Sequence, residues 1–469
     1  MFKRNLTSRI LLLVLIVLLG FNAFVFASSQ KAPKYVFYFI GDGLGSSQRQ
    51  AAEYFLQVKT GDNTVKLVMN QFPVAGINTT HSLDSLVTDS AAAGTALATG
   101  FKTDNGMIAQ LPDGTNVKTL VEAAEEKGMA TGIITTMRLT HATPAVFAAH
   151  NQSRGNENEI AVDYLDSGVE FFAGGGYRHF VPQNGELKSK RKDDRNLIEE
   201  FEKLGYKIFV TENDTEKFRN YKPVGKEKVF AVFTYSHLPY EIDRNDNVPS
   251  LAELTQKGIE VLSKYENGFF MMVEGGKIDY ASHANDPAGV IHDVLAFDKA
   301  IAKAYEFYKQ HPEETLIVII GDHETGGFGL GFGDNYFLKL QELMDVKASV
   351  DSIRYKGDRE ALYKYLAENF GLDDLTDKEK AELERAMDMA DAGEKIENGP
   401  SWLSPVNAAV AHIVSERANL FWTTYAHTGT AIPMSAIGVG AANFGGFKDN
   451  SEIAKTMADL MGFKLTELK

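Results

Sequence analysis

Tyr35-Val-Phe-Tyr-Phe-Ile40 runs without a charged residue into Gly41-Asp42-Gly43. A strand with one wet face alternates apolar and polar residues; an unbroken apolar run belongs to a strand buried on both faces. The design returns twice. Phe269-Phe-Met-Met-Val273 ends at Glu274-Gly-Gly276, and Leu316-Ile-Val-Ile-Ile320 ends at Gly321-Asp322-His323. A shorter run, Gly132-Ile-Ile-Thr-Thr136, follows a helix-like stretch from Val117 to Lys127, and helical patterns over Leu251–Lys264 and Val290–Tyr308 precede the other two. Buried strands alternating with helices predict an α/β fold, a central mostly parallel sheet sandwiched between helices.

Asp42, Glu274, Asp322 and His323 each follow such a run, beside glycine. Open α/β sheets bind ligands outside the carboxyl ends of their strands. One acid at a strand end is an ordinary turn residue, but three such clusters predict convergence on one rim of the sheet. Residues 339–395 differ: Arg359–Asn369 and Thr376–Met389 are rich in Glu, Lys, Ala and Leu and carry no strand signal. They read as a helical insertion before the last histidine motif, a solvated excursion more readily than a lid or subunit contact.

The chain has 469 residues. Lys3, Arg4 and Arg9 precede an apolar run from Ile10 to Leu19, and Val25 and Ala27 are small residues placed for cleavage before Ser28. That is the layout of a signal peptide over residues 1–27, which predicts export to the periplasm or outside the cell, or a membrane anchor if it is not cleaved. Residues 28–469 then form one catalytic unit. Losing the three cations takes the formal charge from −15 to about −18. So acidic a surface argues against nucleic acid as a specific partner and, once the signal is removed, against membrane binding. With Cys 0 there are no disulfides, so stability falls to burial and bound metal.

Thr88-Asp89-Ser90-Ala-Ala-Ala-Gly94-Thr95 is the most unusual stretch. Its small residues allow close approach of another segment, and the run continues as a helix with Ser90 at or near its start. Unpaired N–H groups there favour an anion, so a serine at that point can attack a phosphoryl group that the helix end stabilises. Taken alone, the segment reads more readily as a serine cap on a tightly packed helix than as a nucleophile.

Asp89-Ser90-Ala-Ala-Ala-Gly-Thr95 resembles the signature of the alkaline phosphatase family, and further motifs follow in that family's order from about Tyr35 to the end, apart from the insertion. The resemblance implies a phosphomonoesterase that releases inorganic phosphate through a phosphoserine at Ser90. It implies one zinc site at Asp279, His283 and His427, a second at Asp42, Asp322 and His323 with Ser90, and a third ion held by Asp42, Thr143 and Glu274. Imidazole and carboxylate suit Zn²⁺, and the all-oxygen set suits Mg²⁺, giving two Zn²⁺ and one Mg²⁺. His141 stands where the best-known bacterial members have an acid, which makes Zn²⁺ the alternative at the third site. Both it and Tyr280 are expected behind the ligands. Arg154, eleven residues after Thr143, resembles the family's phosphate clamp. Pro144 is expected to open a helix carrying Arg154 on the same face as His150, itself a structural residue. The resemblance further implies a homodimer acting on small phosphate monoesters. The rival activities, phosphodiesterase or sulfatase of the same superfamily, generally lack the third-ion set and the arginine. Four ligand carboxylates crowded in an acidic protein also need cations before a phosphate dianion can approach.

Overall fold

In this computed structural model the described residues are 32–334 and 336–468. The signal peptide over residues 1–27 lies outside them. Ten strands form the main sheet: β1 (Tyr35–Gly41), β2 (Val74–Asn78), β3 (Ala130–Arg138), β4 (Phe171–Gly175), β5 (Tyr206–Val210), β6 (Lys228–Val232), β7 (Phe269–Gly275), β8 (Thr315–Gly321), β9 (Ile432–Gly438) and β10 (Gly446–Lys448). Their order is β10-β2-β9-β8-β1-β7-β3-β4-β6-β5. Every pairing is parallel except the two made by β9, against β2 and β8.

Two hydrophobic layers explain the unbroken apolar runs. Phe37, Phe39, Met271, Val273, Ile317 and Ile319 enter one core with Leu254, Phe297 and Ile301 from the helices Leu251–Leu262 and Pro287–Gln310. The alternate residues Val36, Tyr38, Ile40, Met272 and Val318 enter the other, with Ala91, Leu97, Leu120 and Met457. Because strand side chains alternate in direction, a strand covered on both faces must be apolar at every position.

The segment 339–395 is helical, with helices at Arg359–Phe370 and Asp377–Asp391. It is more than a solvated excursion: Leu362, Leu366, Phe370, Leu383 and Met387 are buried in the same core as Phe37 and Ile317. Thr376 and Glu379 form a reciprocal cap at the start of the second helix. Among the described residues, no helix is long and apolar enough to cross a membrane.

Candidate metal centre and nucleophile

The central strands end level with one another. Gly41 of β1 pairs with Gly275 of β7 and Gly321 of β8, so Asp42 and Asp322 leave the sheet side by side, with Glu274 two residues below, level with Ile40. Thr135 of β3 pairs with Glu274, and its hydroxyl donates to the Glu274 carboxylate. Gly43 closes the corner at φ +74°, and its N–H donates to Asp322 Oδ1 at 3.1 Å. A Cβ there would stand 2.8 Å from Asp279 Cα, so only glycine lets the helix Lys277–His283 approach. That helix puts Asp279 and His283, four residues apart, on one face.

Ser90 opens the helix Ser90–Thr99 and is 2% exposed. Asp89 is the cap, accepting from the Ala92 N–H at 2.9 Å, which leaves the Ser90 hydroxyl out of the capping bond. Gly94 lets this helix pack closely: a Cβ there would meet Val146 at 3.0 Å. The Ser90 Oγ lies 3.3 Å from His323 Nε2.

The polar contacts of this cluster do not close on themselves. His283 Nε2 and His427 Nε2 face each other at 3.1 Å. Each ring's Nδ1 sits on a backbone carbonyl, that of Tyr425 at 2.5 Å and that of Thr88 at 2.8 Å, so each Nδ1 carries a proton and donates it. In the neutral rings the two Nε2 lone pairs then point at one another, with Asp279 oxygens 3.3 and 3.5 Å away. Three acceptors around one point want a cation. Nearby, His323 Nε2 lies 3.3 Å from Asp42 Oδ1 and 3.4 Å from Asp322 Oδ2 besides Ser90. Asp42 Oδ1, Asp322 Oδ2, Glu274 Oε1 and His141 Nδ1 are buried without a hydrogen-bond partner. Buried polar atoms are rarely left so, and four in one cluster fit divalent metal.

Three donor groups have ligand atoms within 4.8 Å of one another: Asp279, His323 and His427; Asp42, Asp322 and His323; and Asp42, His141 and Glu274. Asp42 thus belongs to two of them. His141, expected behind the ligands, stands among them. The Thr143 hydroxyl donates to Asp42 Oδ2 at 3.4 Å. Burial and then neighbouring carboxylates push Asp42 and Asp322 well above the usual carboxylate range, and burial lifts Glu274 to about 7. Burial opposes the charge of Asp279 as well, but when His283 and His427 carry protons on Nε2 in place of a metal they hold it well below its ordinary value.

Arg154 donates from one nitrogen to Asp89 Oδ2 at 3.0 Å and from the other to His141 Nε2 at 3.1 Å. The helix around Pro144 spans only Ala142–Ala145, so His150 and Arg154 do not share a helical face. His150 turns away to the Ala109 carbonyl and Glu122, at 2.8 and 2.9 Å. The reason is local: a four-residue helix ends before either side chain is reached. Tyr280 lies behind Asp279, its ring 6.1 Å from His141 and 4.7 Å from His237. Thr135, Thr325 and His237 also stand against the cluster, with no motif to mark them. Thr325 gives its proton to Asp279 Oδ1 at 2.5 Å and faces His323 Nδ1 at 3.3 Å. Its place two residues after His323 was the only signal.

A parallel sheet gathering imidazoles and carboxylates at its strand ends, around a serine at a helix start, defines an α/β metal-dependent hydrolase. The alkaline phosphatase family model matches residues 33–463, and the chain belongs to that family, whose members hydrolyse phosphate monoesters. It is 35% identical over 443 residues to alkaline phosphatase 3 of Bacillus subtilis, covering 93% of this chain and 91% of that one. The crystal structure of Thermus thermophilus alkaline phosphatase superposes with a TM-score of 0.82 at 29% identity, over 94% of each chain. The alkaline phosphatase of the Antarctic bacterium TAB5, as a histidine-to-glutamate variant with Mg bound in its M3 site, superposes with a TM-score of 0.65 at 28% identity, over 93% of this chain and 99% of that one.

Proposed function

We propose that the chain is an exported phosphomonoesterase that works through a phosphoserine at Ser90. The observation that carries this is the Ser90 Oγ set 3.3 Å from His323 Nε2, itself packed against Asp42 and Asp322. Asp279, His283 and His427 would hold one Zn²⁺, and Asp42, Asp322 and His323 a second. Asp42, Thr143 and Glu274 would hold a Mg²⁺, with His141 close enough to favour Zn²⁺ in its place. Bound there, the ions supply positive charge that favours the ionised serine hydroxyl and offsets charge on the phosphoryl and leaving oxygens.

The chain's own groups do the rest. Ser90 Oγ forms a bond to phosphorus as the ester oxygen departs with its alcohol, and water then breaks the serine–phosphate bond to release inorganic phosphate. At the start of the helix Ser90–Thr99 the N–H groups ahead of Ala92, whose own N–H goes to Asp89, favour the charge that grows on the transferred oxygens. Arg154 presents a planar fork to two phosphoryl oxygens, held in aim by Asp89. His283 and His427 are fixed in one tautomer by the carbonyls of Tyr425 and Thr88.

Ser90→Ala should lower turnover of an aryl phosphate by orders of magnitude while elemental analysis finds its metal intact; wild-type rates in that variant would remove the nucleophile. Comparing aryl phosphate, phosphodiester and sulfate in the wild type checks the monoester preference. Export rests on the basic, then apolar, start of the chain, and the homodimer on family resemblance. Mapping the N-terminus of secreted protein and sedimentation of the purified chain check them in turn.

A further inference from the structure

We propose that Trp402 and Tyr280 form an aromatic platform at the mouth of the site that stacks on planar leaving groups, so that aryl and nucleoside monoesters are held more tightly than aliphatic ones. The proposal rests on the phosphomonoesterase reading and adds a preference for the part of the substrate beyond the phosphoryl group.

A chain of contacts leads outward from the phosphate clamp. Arg154 donates to His141, the His141 ring lies against Tyr280, and Tyr280 stacks on Trp402 with centroids 5.9 Å apart and planes within 16°. At that separation the rings are offset rather than overlaid. Trp402 is 44% exposed, so its indole offers apolar surface to solvent beside the more deeply set Tyr280. Tyr280 is backed by His237 and by the Lys277 ammonium, 5.2 Å from its ring centre.

The platform is held rigidly. Next to Trp402, Leu403 is buried in the core, and its N–H donates to the Pro400 carbonyl at 3.0 Å. Ser404 then caps the helix Pro405–Arg417 through the Asn407 N–H. An aromatic fixed at both flanks loses little entropy when a second ring stacks on it. Tyr280 directly follows Asp279, and its ring lies 6.1 Å from that of His141, so the platform adjoins the metal-ligand cluster.

The test compares wild type, Trp402→Ala and Trp402→Phe on 4-nitrophenyl phosphate, adenosine 5′-phosphate and glycerol 3-phosphate. Differences in intrinsic reactivity cancel when each ratio is referred to wild type. Stacking of a base on an aromatic side chain predicts that Trp402→Ala lowers the ratio of kcat/KM for either aromatic ester over glycerol phosphate by about tenfold, mainly through KM, and that Trp402→Phe restores most of it. If only one aromatic ester responds, the platform serves that class, aryl or nucleoside. Ratios unchanged from wild type for both overturn the platform. A wild-type enzyme that turns over none of the three esters overturns the underlying phosphomonoesterase reading instead.

Discussion

Around Asp279 one carboxylate meets two imidazoles; around Asp42 and Asp322 one imidazole meets several carboxylates. Imidazole donates a lone pair without bringing negative charge, so the first group carries less negative charge than the second, and protonation of its histidines holds Asp279 ionised despite burial. The second accumulates charge. Burial and mutual repulsion drive Asp42 and Asp322 upward, and Glu274 beside them to about 7. On the proposed reading the contrast separates two uses of metal: on the histidine side it would serve chiefly the reaction, and on the carboxylate side it would also hold the fold together.

The strongest way to break this contrast is Asp42→Asn. Asp42 is shared by two donor groups, so its loss should empty both, lowering activity by about a thousandfold or more. Elemental analysis should find the histidine-side ion retained; full occupancy of all ions with near-normal turnover would break the comparison. Chelation comes next. Glu274 has an ordinary value of 4.5 and a folded value of about 7. Its share of the metal-free protein's stability is therefore whole below about pH 4.5 and is lost as pH rises through 7, on the order of 3 kcal/mol. Melting of the chelated protein should thus fall between pH 5 and 8, while the metal-loaded protein should change less. Parallel curves for the two would refute the electrostatic argument.

A smaller effect sharpens the histidine side. Thr325→Val removes the proton given to Asp279 and the oxygen facing His323, and should weaken metal retention roughly 10- to 100-fold against a competing chelator. The smallest concerns the clamp. Asp89→Asn keeps a capping oxygen but not the charge that holds Arg154, so KM should rise by about tenfold with kcat little changed. A fall in kcat with KM constant would place Asp89 in the chemical step.

Much of this molecule was written in local sequence. The apolar runs at 35–40, 269–273 and 316–320 declared their strands and their burial on both faces, because a two-sided strand has no position for a polar residue. Acids and glycine after each run announced the rim, since backbone corners and ligand oxygens belong at strand ends. Less legible was anything fixed by approach between distant segments. The sequence offered His141 as a neighbour of the site, but folding set it within reach of Asp42 and Glu274; it paired His150 with Arg154, but the helix stops first. That Asp89 rather than Ser90 caps its helix, that Thr325 bridges Asp279 and His323, and that Trp402 comes to lie on Tyr280 were decided by tertiary structure alone. Periodicity records which side of an element is buried; which side chains then meet across the gap depends on how whole elements pack, and no single stretch of chain carries that.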